Sequence, residues 1–199
     1  MTNHTDEELM IFVKSHDVRA FEELFHRYER RIFTFFCRLV WNAEEAKDCT
    51  QETFLRLWKG RSGYRPKGRF STYLFQIAKN HFLHERQKQK TRAHLRLEAS
   101  ECPDEFLEKA SPLSGAYERV AADEIQAAIS KAVAHLPEIH RLVFVLSEEQ
   151  RMSYREIADV MDCPVGTVSS RKVEAIKKLR SLLQPLKDEL SGGSGGTKL

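Results

Sequence analysis

The sequence predicts an all-α protein with two small helical domains joined by a flexible acidic linker. Apolar residues recur at helical spacing along most of the chain, and the alternation typical of half-buried strands is absent. The formal charge also changes sign twice. Residues 1–97 carry 19 Lys and Arg against 12 Asp and Glu, residues 98–135 carry 3 against 8, and residues 136–199 carry 10 against 9. This pattern indicates a basic N-terminal domain, an acidic connector and a nearly neutral C-terminal domain.

The composition of the 199-residue chain, with 41% hydrophobic and 31% charged residues, is typical of a soluble globular protein. No apolar run approaches the length of a membrane span, and the N-terminal sequence MTNHTDEELM is acidic and polar. We therefore expect a cytoplasmic protein without a signal peptide or membrane insertion. The cysteines form no C-x-x-C pair; they are Cys37, Cys49, Cys102 and Cys163. We predict no disulfide framework, no metal site and no cofactor.

The first two helices are predicted from a capping pattern and from periodicity. Thr5 and Glu8 have the spacing of a capping box, in which each side chain accepts from the backbone N–H of the other residue. A second helix is predicted from about Val18 to Val40 because apolar residues form one continuous stripe along it. The members of that stripe are Phe21, Leu24, Phe25, Tyr28, Ile32, Phe35, Phe36 and Leu39. Both helices are expected to build the core of the N-terminal domain.

A third helix, predicted at about 43–59 after Asn42, has two different faces. The face expected to be buried consists of Ala46, Cys49, Thr50, Thr53, Phe54, Leu57 and Trp58. The opposite face is acidic and consists of Asp48, Gln51, Glu52 and Leu55, which fall at i, i+3, i+4 and i+7. An acidic stripe would repel DNA, so this face of a basic domain is a candidate for binding a protein partner.

The segment at 60–69 is predicted to be a loop because of its Gly and Pro content. It carries four cations around one aromatic ring: Arg61, Tyr64, Arg65, Lys67 and Arg69. Cations bind phosphates and aromatic rings stack on unpaired bases, so the loop is suited to single-stranded nucleic acid.

The next helix, predicted from about Ser71 to Lys90, has an apolar side formed by Leu74, Ile77, Ala78 and Phe82. Its other side presents Tyr73, Gln76 and Asn80, which are able to stack on and hydrogen-bond exposed bases. The helix ends in a basic run that includes Arg86 and Lys88 and is suited to backbone phosphates. Together with the preceding loop, this helix is a candidate surface for unpaired nucleic acid.

Residues 98–120 are acidic, contain two prolines, and are interpreted as a linker. Helical periodicity returns afterwards at Ile125, Ile129, Val133 and Leu136. A further apolar helix follows Pro137. The Gly/Ser-rich segment that begins at Ser191 is predicted to be a flexible tail.

Residues 153–182 are interpreted as a helix, a tight turn and a second helix. Ser153 and Glu156 have capping-box spacing, and Asp162-Cys163-Pro164 is expected to end the first helix. Pro164 is predicted to occupy the first position of the second helix, where its missing N–H has no cost.

The second of these helices is predicted to be amphipathic. Its core-facing positions are Val168, Ala175, Leu179 and Leu182. The exposed positions are Gly166, Ser169, Ser170, Val173, Glu174 and Lys177. A short exposed helix braced by a first helix is how helix-turn-helix proteins enter the major groove of DNA. An ordinary helical hairpin with a solvated face is the alternative interpretation.

The combination of these segments resembles the bacterial sigma factors of the extracytoplasmic-function type (group IV) in the sigma-70 family. The resemblance covers about residues 6–186. Residues 48–54, DCTQETF, fit the D-x-x-Q-E-x-F pattern of region 2. Leu136-Pro137, the helix that begins at Ser153 and the stretch at 165–171 fit region 4. The resemblance implies region 2 at 6–95, a linker at 96–120, region 4 at 121–186 and a flexible tail at 187–199.

The resemblance also implies functions for the surfaces described above. The face formed by Asp48, Gln51, Glu52 and Leu55 would dock on the clamp helices of the largest RNA polymerase subunit. The −10 promoter element, once melted, would be read by Arg61, Tyr64, Arg65, Lys67, Arg69, Tyr73, Gln76, Asn80, Arg86 and Lys88. The −35 element would be read as duplex by Thr167, Ser169, Ser170, Arg171, Val173, Glu174 and Lys177. The polymerase core, including its flap, promoter DNA and an anti-sigma factor are the implied partners.

Three positions depart from the usual family pattern. Tyr73 stands where the family usually has Trp, and Ser147 stands where an Arg thought to hold a phosphate is common. Glu174 occupies a position where relatives often have a larger or basic residue, and a carboxylate there would accept from the N4 amine of cytosine. The resemblance therefore implies the mode of DNA binding and leaves the −35 sequence open.

Two other classes of protein remain as alternatives. A conventional dimeric helix-turn-helix transcription regulator would bind duplex DNA without being a polymerase subunit, and it would not need the acidic face at 48–55. A nucleic-acid enzyme would need a catalytic cluster, whereas the carboxylates are dispersed and no Ser/His/Asp, P-loop or metal-ligand spacing is present in the sequence. We therefore expect a protein that is not an enzyme.

Overall fold

The computed structural model describes residues 4–97 and 127–192, and within these ranges the chain is helical and contains no strand. The helices are α1 (Asp6–Lys14), α2 (Val18–Val40), α3 (Ala43–Gly60), α4 (Phe70–Leu97), α5 (127–134), α6 (Glu138–Glu148), α7 (Tyr154–Met161) and α8 (Val165–Gly192). A single 3-10 turn, Arg61–Gly63, lies between α3 and α4. The all-α prediction is confirmed. Most of the linker predicted at 96–120 lies outside the described residues.

The helices begin where polar side chains satisfy the first backbone N–H groups. The capping box predicted at α1 is formed, because Glu8 N donates to Thr5 Oγ1 (3.2 Å) and Thr5 N donates to Glu8 Oε2 (2.8 Å). Asp17 caps α2 by accepting from two backbone N–H groups, and Asn42 caps α3 in the same way. These local signals explain why α2 and α3 begin at their predicted residues, Val18 and Ala43. Helix α3 ends one residue later than predicted, at Gly60.

The N-terminal core is built around α2, against which α1 and α3 pack. Its largest fully buried side chains include Phe35, Phe36, Phe70, Phe75 and Phe82. Burying one such side chain contributes about 1.5–3 kcal/mol. The rings of Phe35 and Phe75 meet edge to face at 5.3 Å between centroids, which joins α2 to α4.

Helix α1 holds the basic loop at Tyr64 and holds the first residue of α4, Phe70. Lys14 Nζ donates to Tyr64 O at 3.1 Å, and Phe70 N donates to Glu7 Oε1 at 2.7 Å. Glu7 thus places a carboxylate at the N-terminus of α4, although it lies 63 residues away in sequence. The sequence analysis did not assign this function to α1.

The C-terminal domain packs α6, α7 and the first half of α8 around Leu142, Leu146, Ile157 and Val168, all of which are fully buried. Val133 of α5 belongs to a smaller cluster with residues of α8.

Ile129 and Leu182, both predicted to face a core, are 37% and 46% exposed. Ala132 is buried in place of Ile129, whereas the predicted core positions Ala175 and Leu179 are buried as expected. Pro164 precedes the first helical residue of α8, and its carbonyl accepts from Thr167 N (2.9 Å). Helix α8 also continues to Gly192, through Pro185 and beyond the predicted end of the domain at 186.

The two domains pack directly on each other. Helix α7 lies against α4, and α6 lies against α2. Buried residues of both domains form one continuous apolar cluster, in which Phe82 belongs to the N-terminal domain and Val143 to the C-terminal domain. Trp41, at the left-handed end of α2, packs against the smaller cluster of the C-terminal domain.

Candidate nucleic-acid interface

The acidic face of α3 is accessible in the structure. Asp48 and Gln51 are exposed, and Leu55 is 44% exposed. Glu52 is half-buried, and its Oε1 accepts from Arg56 Nε, one turn later, at 2.8 Å. The four predicted residues therefore form one continuous surface, in which Glu52 is already paired and Asp48 is the more exposed charge.

The basic loop divides into exposed cations and one that is part of the fold. Arg65, Lys67 and Arg69 are exposed. Arg61 differs, because its Nη1 donates to Trp58 O (2.6 Å) and its guanidinium carbon lies 4.4 Å from the centroid of the Trp58 ring. A cation at a helix C-terminus that stacks on an indole stabilises the end of α3. The Arg61 guanidinium therefore binds Trp58 and stabilises the protein itself, in contrast to the three exposed cations of the loop.

Tyr64, predicted to stack on bases, is buried with 3% of its surface exposed. Its ring lies 5.1 Å from that of Tyr73, and burial raises the pKa of the Tyr64 phenol to about 12. In this arrangement the Tyr64 ring supports Tyr73 and is not available to a base. No sequence pattern predicts this burial, since a single aromatic residue in a loop has no periodicity.

The predicted base-reading side of α4 is present as one strip. Asn80 is exposed, and Tyr73 and Gln76 on the preceding turns are half-buried. The cations near the end of the helix are paired: Lys88 Nζ lies 2.9 Å from Glu85 Oε1, and Arg86 Nε lies 3.6 Å from Glu138 Oε1 of the C-terminal domain.

Lys79 of α4 is a charged residue that the sequence analysis did not single out. It is 7% exposed, and burial lowers the pKa of its ammonium group, while Asp162 acts in the opposite direction. Asp162 ends α7, so Lys79 lies where the C-terminal domain covers α4. The residues on either side of Lys79 form no pattern that predicts its burial. The burial results from the packing of α7 on α4.

The helix-turn-helix forms as predicted. Glu156 N donates to Ser153 Oγ (3.3 Å), and Ser153 N donates to Glu156 Oε2 (2.8 Å), which completes the capping box of α7. Asp162 adopts a left-handed conformation with φ of 52°, and Cys163 N then donates to Ala158 O (3.1 Å). A short polar side chain tolerates this conformation, so the chain turns sharply between α7 and α8.

The predicted −35 face lies on the first turns of α8. Val173 is 60% exposed, and Ser170, Glu174 and Lys177 are exposed as well. Thr167, Ser169 and Arg171 are half-buried at its edge. The guanidinium of Arg171 bends back toward the turn, with Nη1 3.6 Å from Cys163 Sγ. The exposed residues are small or polar, as a helix that enters a DNA groove requires.

Lys172 anchors this helix and was not predicted. It is 4% exposed, its Nζ donates to Ser147 Oγ (2.6 Å) and to the carboxylate of Glu148, and it lies 5.6 Å from the centroid of the Phe144 ring. The hydrogen bond from Lys172 lowers the pKa of Glu148. Ser147, the departure noted above, is therefore a partner of Lys172 and fixes α8 against α6.

Within residues 4–97 and 127–192, no group of three or more His, Cys, Asp and Glu side chains is placed to hold a metal ion. In the same ranges, no helix combines the length and apolar character needed to cross a bilayer.

These surfaces define a class of protein: a two-domain helical DNA-binding factor whose helix-turn-helix accompanies a separate exposed acidic face. Residues 24–92 match the family described as sigma-70 region 2, and residues 126–179 match sigma-70 region 4. The chain is 33% identical over 197 residues to the RNA polymerase sigma-H factor of Pseudomonas aeruginosa, covering 94% of this chain and 97% of the relative. It therefore belongs to the sigma-70 family, whose members direct promoter-specific initiation by RNA polymerase.

Other relatives agree with this assignment. The chain is 29% identical over 186 residues to the ECF RNA polymerase sigma-E factor of Escherichia coli K12, covering 92% of this chain and 96% of the relative. A solved structure of CnrH in complex with the cytosolic domain of CnrY matches the fold with a TM-score of 0.67 and 23% identity, over 92% of this chain and 99% of that one. A structure of the sigma factor RpoE with the anti-sigma factor NepR from Bartonella quintana matches with a TM-score of 0.62 and 20% identity, over 82% of this chain and 96% of that one.

Proposed function

We propose that this protein is an extracytoplasmic-function sigma factor of the cytoplasm that binds RNA polymerase core through α3, reads the melted −10 element through α4 and its preceding loop, and reads the −35 duplex through α8. The observation that carries the proposal is the separation of surfaces. Asp48 on α3 and Val173 on α8 are both exposed, on different domains. A factor of this design holds two DNA elements at once because each weak contact raises the effective concentration of the other.

The −10 surface is assigned to Tyr73, Gln76 and Asn80, with Arg65, Lys67 and Arg69 as phosphate contacts. The half-buried tyrosine supplies a ring for stacking, and Asn80 supplies a donor and an acceptor for a base that leaves the duplex. Extrusion of a base costs a few kcal/mol, and stacking and hydrogen bonds offset that cost only for sequences that fit. This selection is how the domain would favour its own promoters without being an enzyme.

The test is run-off transcription from a pool of genomic fragments with purified core polymerase, with and without the full chain. Start sites that depend on the protein and share two upstream motifs are the expected result. Asp48→Arg should abolish them, because it reverses the most exposed charge of the α3 face. Glu44→Arg is the matched control: Glu44 is exposed on the same helix, and the charge change is identical.

The conventional regulator is the second candidate, and the helix-turn-helix is the feature that favours it. That class is supported if the protein binds duplex DNA tightly, Asp48→Arg leaves binding unchanged, and no initiation occurs with core polymerase. The sigma assignment is then wrong.

An anti-sigma factor is proposed as a further partner. The support is that both structures matched above, which resemble this chain in fold, were solved with a bound partner, described in one case as an anti-sigma factor. Affinity purification of the chain from its own cells should recover a second protein in stoichiometric amount. Recovery of the chain alone, in stressed and unstressed cells, would count against this partner.

A further inference from the structure

We propose that helix α1 positions the basic loop that precedes α4, and that Glu7 and Lys14 thereby set how strictly the protein selects the bases of the −10 element. This inference rests on the proposed function, because it concerns how the −10 surface obtains its specificity. Each of the two residues acts through a hydrogen bond to the backbone at one end of the loop and not through contact with DNA. Both are therefore positioning residues.

The basic loop projects from the protein between two buried aromatic residues. Residues 65–69 are all exposed, whereas Tyr64 is 3% exposed and Phe70 is fully buried. A Cβ atom added at Gly68 would meet no atom within 4 Å beyond its chain neighbours, so the tip of the loop is surrounded by open space. Within the loop, Lys67 N donates to Arg65 O at 2.9 Å. The conformation of the loop therefore depends on how its two ends are held.

Both ends are held by α1. Lys14 Nζ donates to Tyr64 O at 3.1 Å, and Phe70 N donates to Glu7 Oε1 at 2.7 Å. Among the residues that the structure describes, these are the only hydrogen bonds that join the backbone of 64–70 to a segment distant in sequence. Glu7 and Lys14 are separated by about two helical turns, so they lie on the same side of α1. One face of one helix thus holds the loop at its start and at its end.

Helix α1 is fixed to the rest of the domain by other residues. The Tyr28 hydroxyl donates to Asp6, and the Tyr28 ring meets that of Phe70 edge to face at 5.2 Å between centroids. The apolar side of α1 is completely buried at Leu9, Met10 and Val13. The packing of α1 therefore depends on these contacts, and the polar groups of Glu7 and Lys14 can be changed while the helix stays in place.

A loop that is held in one conformation selects bases more strictly than a mobile loop. Arg65, Lys67 and Arg69 meet the melted strand from fixed positions, so binding does not have to order the loop. A flexible surface repacks around different ligands and binds them with similar affinity. Release of the loop should therefore reduce the difference between the favoured base and its competitors, while binding to polymerase through α3 is retained.

The test compares promoters within each variant, by run-off transcription with core polymerase and the full chain. The templates are a promoter recovered from the genomic pool and the same promoter with one base changed at a time in the motif nearer to the start site. Glu7→Ala and Lys14→Met should each lower the ratio of transcripts about tenfold, since a hydrogen bond to a charged group contributes on the order of tenfold in an equilibrium constant. A partly unfolded variant lowers both yields alike, so the ratio is independent of the amount of folded protein.

Conservative variants separate the hydrogen bonds from the rest of the side chains. Glu7→Gln keeps an oxygen that accepts from Phe70 N, and Lys14→Arg keeps a donor for Tyr64 O. Both variants should discriminate between the promoters nearly as well as the wild type. Rescue by these substitutions is not expected if the long-range charge of either residue determines the selectivity of Glu7→Ala or Lys14→Met.

Glu29→Ala and Lys131→Met are the matched controls. Both residues are exposed, Glu29 on α2 and Lys131 on α5, and the changes of charge are the same. The controls should leave the ratio of transcripts unchanged. Affinity for core polymerase, measured separately, should be the same in all of these proteins because the docking face at Asp48 lies on α3.

Hydrogen exchange of the Lys67 amide reports the state of the loop without transcription. This amide bonds within the loop and not to α1, so its exchange rate measures how well the loop is held. NMR should show faster exchange in Glu7→Ala and Lys14→Met than in the wild type and the conservative variants.

Initiation by the wild type with unchanged discrimination in Glu7→Ala and Lys14→Met overturns the inference, whether or not Lys67 exchanges faster. Equal losses in Glu7→Gln and Glu7→Ala also overturn it, because the hydrogen bond to Phe70 N is then not the cause. Absence of initiation by the wild type is the failure of the proposed function. Faster exchange at Lys67 in the two variants would then still show that α1 holds the loop, and unchanged exchange would overturn that as well.

Discussion

Arg69 Nη1 lies 3.1 Å from Glu156 Oε1, and this ion pair joins the loop before α4 to the capping box that begins α7. The carboxylate of Glu156 also accepts from Ser153 N at 2.8 Å, so one side chain both starts a helix of the C-terminal domain and holds a cation of the N-terminal domain. The Arg69 side chain is 77% exposed, and such a pair contributes only about 0–1 kcal/mol. The pair matters because it connects a cation of the predicted −10 surface to the helix-turn-helix.

The capping box of α7 should be needed for a stable helix-turn-helix. Ser153→Ala removes the hydroxyl that accepts from Glu156 N, and we expect a loss of about 1 kcal/mol in the free energy of unfolding. Urea denaturation followed by circular dichroism measures this loss. Ser181→Ala, at an exposed position inside α8, is the control and should leave stability unchanged or slightly higher. Equal effects of the two substitutions would contradict the capping function.

The ion pair between Lys172 and Glu148 should give stability a specific pH dependence. The pKa of Glu148 is lowered in the folded protein, so the pair stabilises fully above the ordinary pKa of a glutamate, about 4.3, and is lost as the pH falls through the folded value. Glu148→Gln should therefore be less stable than the wild type near neutral pH, by about 0.5–1 kcal/mol because the carboxylate is largely exposed.

The measurement is urea unfolding of the wild type and Glu148→Gln at neutral pH and at pH values below the ordinary glutamate pKa. The difference between them should shrink in acid. Glu149→Gln is a useful comparison because Glu149 pairs with Arg38 and not with Lys172. A difference that stays constant with pH would show that Glu148 acts through packing alone.

The edge-to-face contact between Phe35 and Phe75 should be a main determinant of N-terminal stability. Both rings are fully buried, and Phe75→Ala should cost about 3–5 kcal/mol because it leaves a cavity between α2 and α4. Thermal denaturation should show a large fall in Tm. Phe12→Ala, at a ring that is 37% exposed, should cost less than half as much. Comparable losses would mean that the core is not centred on this contact.

Glu174 should determine one base of the −35 element. It is exposed on α8 beside Val173, and a carboxylate accepts from the N4 amine of cytosine. Glu174→Gln should weaken discrimination at one position by about 1–3 kcal/mol and leave the other positions unchanged. Selection of bound duplexes from a randomised pool, sequenced for both proteins, measures this. A uniform loss of affinity without a change in the selected motif would assign Glu174 to the helix surface and not to base reading.

The helices themselves followed from local signals. The capping boxes at Thr5 and Ser153, and the caps at Asp17 and Asn42, lie within three residues of the N–H groups that they satisfy. The apolar stripe of α2 has the helical period. Such interactions involve neighbouring residues, so the sequence predicted the all-α fold, the starts of the capped helices and the accessible faces of α3 and α8. Helices α4 and α8 extend beyond their predicted ends, to Leu97 and Gly192.

The sequence by itself therefore determined the helical class, the starts of the capped helices, the two domains and the family. Only the tertiary structure determined which polar side chains are exposed and which are buried against other parts of the protein. Lys79 is buried beneath α7, Tyr64 supports Tyr73, and Lys172 binds residues 24 and 25 positions away in sequence. Arg141 reaches a carbonyl 102 positions away. These outcomes depend on contacts between segments that are distant in the sequence. Helical periodicity predicts which face of a helix is apolar, but it does not predict which segment packs against the other faces.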